Sequence, residues 1–505
     1  MKSPSQPLSI SRDEIRAIYA QGEDAVMALV ESLVGRINAL EVRVEALENQ
    51  KSKDSQNSSQ PPSGDGFGKR TKSLRTKSGR PSGGQTDHPG STLAWRETVD
   101  QVITHAVVNC LGCGASLAEV EVLNLNCRQV HDLPPMELVV AEHQSEEKCC
   151  PDCGVLNQGE FPADVNSVVQ YGSELKGLMV YLMEGQLLPC QRVCELLGEV
   201  LGCEISAGTL YNARLRCYEQ LAAVEAYIKK GIQAASVVHF DETGLRVKGQ
   251  LMWLHVACNG WLTAYFIHPK RGQVAMDAMD ILPSFTGVSV HDGLASYARY
   301  DSTHALCNAH HLRELRFIVE RYQQDWANQM MTLLVDIKTQ VEIAKDTGQT
   351  TLTLRQRADF KQRYQRLIAA GLKANPPPAI HPEQPKPRGR FKQSPAKNLL
   401  DRLNKHQSAV LAFMNDFRVP FDNNQAQRDL RMMKLKQKIS GTFRSSEGAQ
   451  GFCRIRGYLS TLRKQGIQVL DALRLVFMET PIFPTLQTKR SFQAKPGEEL
   501  TRPSQ

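Results

Sequence analysis

The chain has 505 residues, which is too long for one hydrophobic core and predicts about three or four domains. Its composition is 41% hydrophobic and 23% charged with a formal net charge of +8, which is ordinary for a soluble globular protein. No apolar run approaches the roughly 18 residues that a membrane span needs, and the N-terminus lacks the apolar core of a secretory signal. We therefore expect a cytosolic protein with no membrane partner.

The N-terminal segment, residues 1–50, carries a heptad repeat from about residue 23 onwards. The β-branched and leucine positions of the repeat are Val30, Leu33, Ile37, Leu40, Val44 and Leu47. β-branched residues at the first core position with Leu at the second favour a parallel two-stranded coiled coil. We predict a homodimer or higher assembly through this segment. The alternative is a single amphipathic helix that packs on its own domain.

Residues 51–100 are rich in Ser, Gly, Pro, Gln and Lys, and we predict a disordered basic linker because too little apolar surface is present to offset the entropy of ordering. A basic run with no acid inside it begins with Lys69, Arg70, Lys72 and Arg75. We predict that this run grips DNA phosphate. The alternative is that it is only a solvated charge run.

Residues 101–165 contain two CxxC pairs, Cys110 with Cys113 and Cys150 with Cys153, each followed directly by glycine. The chain has 13 cysteines, an odd number scattered without an export signal, so a disulfide framework is not expected. Four thiolates around one zinc ion make a closed structural site. We predict a structural Zn²⁺ ribbon, with four reduced core cysteines as the alternative.

Residues 166–233 are predicted to be helical and to contain two short helices joined by a turn. Gly202 is suited to stop the first helix, and Ser206 is a natural N-cap for a second helix that begins near Ala207. This outline is that of a helix-turn-helix, whose second helix enters the major groove of DNA. Many helix pairs share the outline without contacting DNA, and that is the alternative.

Residues 234–317 alternate between strands and helices. The first strand, SVVHFDETGLRVKG, is expected to end at Asp241 and Glu242, and the fourth strand, GVSVHDGLASY, at Asp292. Three strands, a helix, a strand and a helix make the layout of an RNase H-like sheet, in which the first and fourth strands are neighbours. Asp241 and Asp292 are then able to hold Mg²⁺ for phosphodiester chemistry, which two divalent ions assist. The alternative is that each Asp is a plain turn residue.

At this point the sequence resembles the insertion sequence 66 family of bacterial transposases. The strings that carry the resemblance are HFDETGLRV, HDGLASY, CNAHHLREL, VPFDNNQAQRDLR and KISGTFRSSEGAQGFCRIRGYLSTLRKQG. The resemblance implies a DDE-type enzyme, in which two Asp and one Glu hold two Mg²⁺ (or Mn²⁺) ions on an RNase H-like fold. It implies cleavage and strand transfer, with the element's terminal inverted repeats and target DNA as partners.

The expected fold is therefore a multidomain α+β protein, with an RNase H-like α/β catalytic core that contains a helical insertion and follows the coiled coil, zinc ribbon and helix-turn-helix-like domain. We place the insertion at 318–395, the second part of the core at 396–480 and a C-terminal tail at 481–505. We expect a cytoplasmic, nucleoid-associated location.

Carried over by position, the first two catalytic acids are Asp241 and Asp292. The third acid of the family normally lies in a DNNxAERxLR string, and here Gln427 occupies its place. Gln offers a carbonyl oxygen but no charge, so we expect weaker metal binding and activity that is lower by a factor on the order of 10²–10³, or lost. Asp422 and Glu447 are near in sequence and are the candidates to compensate, whereas Asp429 lies around the opposite side of the helix.

Other polar residues have predicted supporting roles. Glu242, His310 and Arg313 are expected to orient metal-bound water or DNA, although a buried, satisfied histidine is the more frequent case. A basic face for DNA-backbone contact is predicted from Arg428, Arg431, Lys434 and Lys436. The rival functions are a catalytically inactive DNA-binding derivative of a transposase and an RNA-directed nuclease with the same core.

Overall fold

The structure is a computed structural model that describes residues 10–54, 57–58, 93–134, 136–162, 164–377 and 393–486. The chain divides into two compact units. The larger unit comprises residues 1–72, 162–193 and 206–505, and the smaller comprises residues 73–161 and 194–205. Across the part of the chain that is described, no helix is both long enough and apolar enough to cross a membrane.

Two helices begin the larger unit, α1 (Arg12–Tyr19) and α2 (Glu23–Lys51). A capping box fixes the start of α1, because Ser11 and Glu14 bond each other's backbone amides. Helix α2 has 29 residues and contains the whole heptad repeat. The heptad side chains are all exposed in the single chain, from Val30 to Leu47.

The smaller unit holds the four predicted zinc ligands and little regular structure. Its strands β1 (Glu147–Cys149) and β2 (Leu156–Gln158) pair antiparallel around the second CxxC turn. An isolated antiparallel bridge between Asn109 and Ser116 encloses the first CxxC turn in the same way. Both CxxC pairs therefore lie at the tips of short hairpin-like turns.

Four helices follow in chain order: α3 (Ser173–Val180), α4 (Cys190–Leu201), α5 (Ala207–Gln220) and α6 (Ala222–Gln233). The predicted stop and start signals are found where expected. Gly202 adopts a positive φ of 64° just after α4. Ser206 caps α5, since the backbone N–H of Thr209 donates to its hydroxyl at 3.1 Å.

A five-stranded sheet forms the centre of the larger unit. Its strands are β3 (Val237–Val247), β4 (Gln250–Cys258), β5 (Thr263–His268), β6 (Val288–His291) and β7 (Thr303–Leu306). Their spatial order is β5-β4-β3-β6-β7. β3 pairs antiparallel with β4 and β4 with β5, whereas β6 lies parallel to both β3 and β7. The strand that bears Asp241 is therefore central and adjoins the strand that precedes Asp292.

The first strand is longer than the sequence predicts, because β3 does not end at the acidic pair but continues to Val247. Buried Leu245 and Val247 alternate with exposed Arg246, and all three pair with β4. Lys248 and Gly249 both have positive φ, which is the backbone of a tight two-residue hairpin turn. The hairpin partner therefore extends β3 past the point where its parallel neighbour β6 stops.

Helices surround this sheet and complete the larger unit. They are α7 (Gln273–Met279), α8 (Asn308–Tyr322), α9 (Asp325–Asp346), α10 (Leu354–Ala374), α11 (Pro395–Lys405), α12 (Gln407–Val410), α13 (Ala412–Asn415), α14 (Asn424–Ser440), α15 (Ser446–Lys464) and α16 (Val469–Phe477). One apolar cluster joins α8, α9, α10 and α11 to β6 and β7, and another joins α14 and α15 to β3, β4 and β5. The result is a mixed fold of helices and one sheet.

Candidate active site

Asp241 and Asp292 are brought together by the parallel pairing of β3 and β6. His239 is the register partner of Val290; Asp241 lies two residues further along β3, and Asp292 directly follows the end of β6 at His291. Burial, then the negative charges of Glu242 and Asp292, raise the pKa of Asp241 to about 8. Asp241 therefore lies in a partly desolvated space near the charges of Asp292 and Glu242, where its ionised form is disfavoured.

Each of these carboxylates is oriented by one backbone amide. Oδ1 of Asp241 accepts a hydrogen bond from the N–H of Glu242 at 2.9 Å, and Oδ1 of Asp292 accepts one from the N–H of Leu294 at 3.0 Å. Both contacts are local to the turn or strand that bears the acid. They fix the direction of each side chain and use only one of its oxygens.

Cationic and imidazole groups from α8 border the carboxylate pair. Burial, followed by the charge of Arg313, lowers the pKa of His310 to about 4, and the charge of Asp292 acts on the same ring. Among the described residues, the buried Nδ1 of His310 has no hydrogen-bond partner. The Arg313 guanidinium interacts with the charge of Asp241. His310 is therefore within electrostatic range of Asp292, and Arg313 within electrostatic range of Asp241.

Arg402 on α11 is a neighbour of the site that the sequence did not single out. Its guanidinium interacts with the charge of Asp292 and forms an ion pair with Glu314. Arg402 follows the second acid by more than 100 residues, with α9 and α10 in between. No motif surrounds it, so only the folded arrangement of α8 and α11 reveals it.

The start of α14 is bonded to β3 beside Asp241. The side chain of Asn423 is fully buried, and its Nδ2 donates to the carbonyl oxygen of Phe240 at 2.8 Å. Its Oδ1 lies 2.8 Å from Nδ1 of His239, which therefore carries the proton of that hydrogen bond. Asn424, next in the chain, is exposed. Asn423, the residue before α14, therefore joins this helix to the sheet.

Gln427 lies one helical turn after Asn423 and is half-buried. The inward face of α14 is formed by Ala426 and Leu430. The flank that bears Asp429 reaches β5, because the hydroxyl of Thr263 donates to Asp429. Helical geometry places Gln427 on the opposite flank of α14.

Three acids near Gln427 in sequence, Asp422, Asp429 and Glu447, have contacts of their own. Asp429 accepts hydrogen bonds from Nζ of Lys464 at 2.7 Å and from Thr263. Asp422 accepts one from the backbone N–H of Asn424 at 3.0 Å. Glu447 is exposed at the start of α15, where the nearby charge is that of Lys248. Their contacts favour a local structural role for each acid.

Glu242 has a setting different from the predicted one. Alternation along β3 directs it to the face opposite Asp241, and its side chain is 0% exposed. Its Oε1 accepts from Nη2 and Nε of Arg271, at 2.8 and 2.9 Å. Its Oε2 accepts from the hydroxyl of Tyr297 at 2.8 Å. Both oxygens are bound by protein groups, so the contacts of Glu242 favour a role in positioning Arg271 and Tyr297.

The predicted basic face is only partly exposed. Arg428 and Arg431 point to solvent, whereas Nζ of Lys434 donates to the carbonyl of Gly244 at 3.1 Å. Lys436 does not extend the exposed basic face as predicted. Its side chain is turned inward, donates to Ser440 and lies 4.9 Å from the ring centre of Phe443. Four residues predicted to bind DNA lie outside the described residues: Lys69, Arg70, Lys72 and Arg75.

The cysteine pairs form two similar turns. The N–H of Gly114 donates to the carbonyl of Cys110, and the N–H of Gly154 to that of Cys150, both at 2.9 Å. Hydrogen bonds from backbone amides, and then from the second thiol of the turn, lower the pKa of both Cys110 and Cys150. Within the described ranges, no group of three or more His, Cys, Asp or Glu side chains is gathered as a metal site. Each turn therefore presents its own pair of thiols.

Comparison with known families supplies the class of the protein. The family model described as "Transposase IS66 family" matches residues 169–451, more than half of the chain. A second model, "Family of unknown function (DUF6444)", matches residues 11–94. The search of the curated proteins found no match. The protein is thus a transposase, a class with nuclease or transferase activity and DNA as its partner.

The chain belongs to the IS66 family of transposases, which confirms the resemblance seen in the sequence. The matched range includes Asp241, Asp292 and the helix that bears Gln427. The two cysteine pairs lie between the two matched ranges, so neither match bears on their role.

Proposed function

We propose that this transposase binds the terminal inverted repeats of its element and catalyses metal-dependent DNA cleavage and strand transfer at Asp241 and Asp292. The observation that carries the proposal is that Asp241 lies on β3 and Asp292 directly follows its parallel neighbour β6, with the charge of Asp292 acting on Asp241. The strand order, with the first strand central between the second and the fourth, supports an RNase H-like core of the DDE type.

The electrostatics of the pair favour a divalent cation. Asp241 is partly desolvated and faces the negative charges of Asp292 and Glu242, so ionising it in the protein alone is unfavourable. Carboxylate oxygens are the ligands that Mg²⁺ prefers, and Mn²⁺ accepts the same set. These two side chains therefore fit such an ion. When bound, two ions activate the attacking oxygen and stabilise the leaving one.

The protein's own groups then hold and orient the reactants. Asp241 and Asp292 provide the negative ligands, and Arg313 and His310 border them on the α8 side. The unpartnered Nδ1 of His310 is suited to accept or donate one hydrogen bond to water or DNA. Gln427 provides a neutral carbonyl oxygen where the family motif has a carboxylate, so activity is reduced.

The alternative is a DNA-binding derivative that no longer cleaves DNA. Gln427 is the observation that favours it, together with the engagement of Asp422, Asp429 and Glu447 in other contacts. In the described chain, none of these three acids has a contact that directs it to Asp241 and Asp292. The negative charge that is missing at Gln427 therefore has no evident replacement. The membership in a transposase family leaves the RNA-directed alternative without support.

A cleavage assay tests both readings. Purified full-length protein is incubated with Mg²⁺ or Mn²⁺ and labelled terminal-repeat DNA, and the natural chain is compared with Gln427→Glu. We expect the substitution to raise the cleavage rate by a factor on the order of 10² or more. Adding Asp241→Asn should abolish the gain. Equal, robust cleavage by both chains would refute the impairment, and cleavage that survives Asp241→Asn would refute the site.

We further propose one structural Zn²⁺ held by Cys110, Cys113, Cys150 and Cys153. The fit is good at the level of each turn, because the amides that point at sulfur favour the thiolate form that zinc requires. A single ion bound by all four thiolates would join the two turns. It would give this poorly buried unit a stabilising centre.

Dimerisation through α2 is also proposed. The heptad side chains are exposed, and Leu40 is 59% exposed. The polar side of the same helix is engaged within the chain, where Arg321 of α8 donates to Glu48 and Asn49. The contact with α8 therefore leaves the heptad face open, and an identical helix is the partner that the repeat favours.

For DNA recognition we propose the exposed face of α5. Leu210, Ala213 and Cys217 are buried, whereas Tyr211 and Asn212 near the start of the helix are exposed. In a helix-turn-helix, the first residues of the second helix contact base edges in the major groove. Exposed Arg428 and Arg431 are suited to the phosphate backbone.

A further inference from the structure

Arg271 is a partly exposed arginine whose guanidinium contacts Glu242 and Trp253. It lies in the loop between β5 and α7, and its side chain is 42% exposed. Nε and Nη2 both donate to Oε1 of Glu242, at 2.9 and 2.8 Å. The guanidinium carbon is 4.9 Å from the ring centre of Trp253, within the range of a cation–π contact. An arginine at the surface is thus fixed on two sides.

Glu242 is the anchor that makes this position stable. Its side chain is fully buried, its second oxygen accepts from Tyr297, and it follows Asp241 directly in β3. A buried carboxylate without a cation would be costly, so the pair with Arg271 persists. The planar guanidinium is then oriented before any ligand arrives, which lowers the entropy that binding would otherwise lose.

The charge of Arg271 reaches Asp241. It acts on Asp241 as well as on Glu242, the residue that follows Asp241 in β3, so the guanidinium lies within electrostatic range of one of the two proposed metal ligands. Glu242 occupies Nε and Nη2, and among the described residues Nη1 has no hydrogen-bond partner. A guanidinium edge that is exposed to solvent and whose charge reaches Asp241 is suited to an anionic oxygen that approaches from solvent.

We propose that Arg271 binds a phosphate group of the DNA backbone at the active site, positioned by Glu242 and Trp253. The inference rests on the proposed function, because it takes DNA as the ligand of this site. A phosphodiester oxygen next to metal ions held by Asp241 and Asp292 would lie within reach of the guanidinium. Glu242 then acts as a positioning residue through Arg271.

The test measures how DNA affinity depends on salt. A fluorescent DNA duplex of about 30 base pairs and generic sequence is titrated with full-length protein across a range of NaCl concentrations. Ca²⁺ replaces Mg²⁺ so that the DNA is not consumed. Loss of one phosphate contact lowers the slope of log K against log [salt] by about 0.9. Arg271→Met alone would leave Glu242 buried and unpaired, so the informative comparison is Glu242→Gln with and without Arg271→Met.

Arg363 on α10 supplies a matched control. Its side chain is also 42% exposed, it forms an ion pair with Asp336, and its guanidinium lies 5.5 Å from the ring centre of Phe360. It differs from Arg271 in that its acidic partners are Asp336 and Asp359 and not a residue that adjoins Asp241. Arg363→Met should therefore leave the salt slope unchanged.

Three outcomes separate the two proposals. A slope lower by about 0.9 in the double variant than in Glu242→Gln, with Arg363→Met equal to the natural chain, supports the phosphate contact. Equal slopes for Glu242→Gln and the double variant, in proteins that still bind DNA, overturn the inference about Arg271 and leave the proposed function standing. Absence of salt-dependent DNA binding by the natural chain overturns the proposed function and the inference together.

Discussion

Replacing Asn423 tests the link between the third-acid helix and the catalytic strand. Its fully buried side chain bonds the carbonyl of Phe240 and the ring of His239, two residues that immediately precede Asp241. Asn423→Ala leaves both partners buried without a hydrogen bond. Each such loss costs about 1–3 kcal/mol, so we expect the substitution to destabilise this region by about 3 kcal/mol.

Hydrogen exchange measured by mass spectrometry gives the appropriate readout, because a chain of several domains need not unfold in one step. Peptides that cover β3 and α14 should exchange about 10²-fold faster in Asn423→Ala, the factor that corresponds to about 3 kcal/mol. Asn424→Ala is the matched control. Asn424 is exposed, and surface substitutions usually change stability by less than about 0.5 kcal/mol.

Equal hydrogen-exchange protection of β3 and α14 in the two alanine variants would contradict this prediction. Such a result would mean that α14 is not bonded to the strand at Asn423. The flank assigned to Gln427 would then lose its support.

Three further predictions concern zinc, assembly and acid stability. Cys113→Ser and Cys153→Ser should each remove about one zinc per chain in elemental analysis. Cys127→Ser, which changes an exposed cysteine outside both turns, should retain the zinc. The same zinc content in all three variants would contradict the site. Leu40→Asp should convert a dimer to a monomer in light scattering, while Val42→Asp, exposed to a similar degree but off the heptad face, should not; equal masses contradict the coiled coil. Burial, and then the charges of Arg402 and His310, lower the pKa of His311 from 6.5 to about 3. The unfolded chain therefore binds a proton at His311 more readily than the folded chain, and the folded state loses stability as the pH falls below 6.5. Relative to His311→Gln, the natural chain should lose about 2 kcal/mol between pH 6.5 and pH 5, and a constant difference would contradict burial of a neutral ring.

The local structure of the chain could be predicted because short-range sequence patterns determine it. The heptad is found in α2, Gly202 and Ser206 bound α4 and α5, and the CxxCG strings form tight turns. The strand order followed from the order of strands and helices along the chain. It placed Asp241 and Asp292 on neighbouring strands without knowledge of the register.

What the sequence did not predict depends on contacts between distant residues. The length of β3 is set by its hairpin partner, and the roles of Glu242 and Lys436 are set by Arg271 and Phe443. The alternation of side chains along a strand places Glu242 on the face opposite Asp241. That alternation can be read from the sequence, but Glu242 is grouped with Asp241 in the prediction because the two acids are adjacent. Arg271 and Arg402 carried no motif at all.

The central claim is that Asp241 and Asp292 bind one set of divalent ions, and direct metal binding tests it most simply. Mn²⁺ titration of the full-length protein, followed by electron paramagnetic resonance, reports bound metal without requiring cleavage. We expect Asp241→Asn and Asp292→Asn each to weaken binding by about 10-fold or more, Gln427→Glu to strengthen it, and Asp336→Asn on α9 to leave it unchanged. Mn²⁺ affinity that is the same in the natural chain and in both aspartate variants would contradict the account.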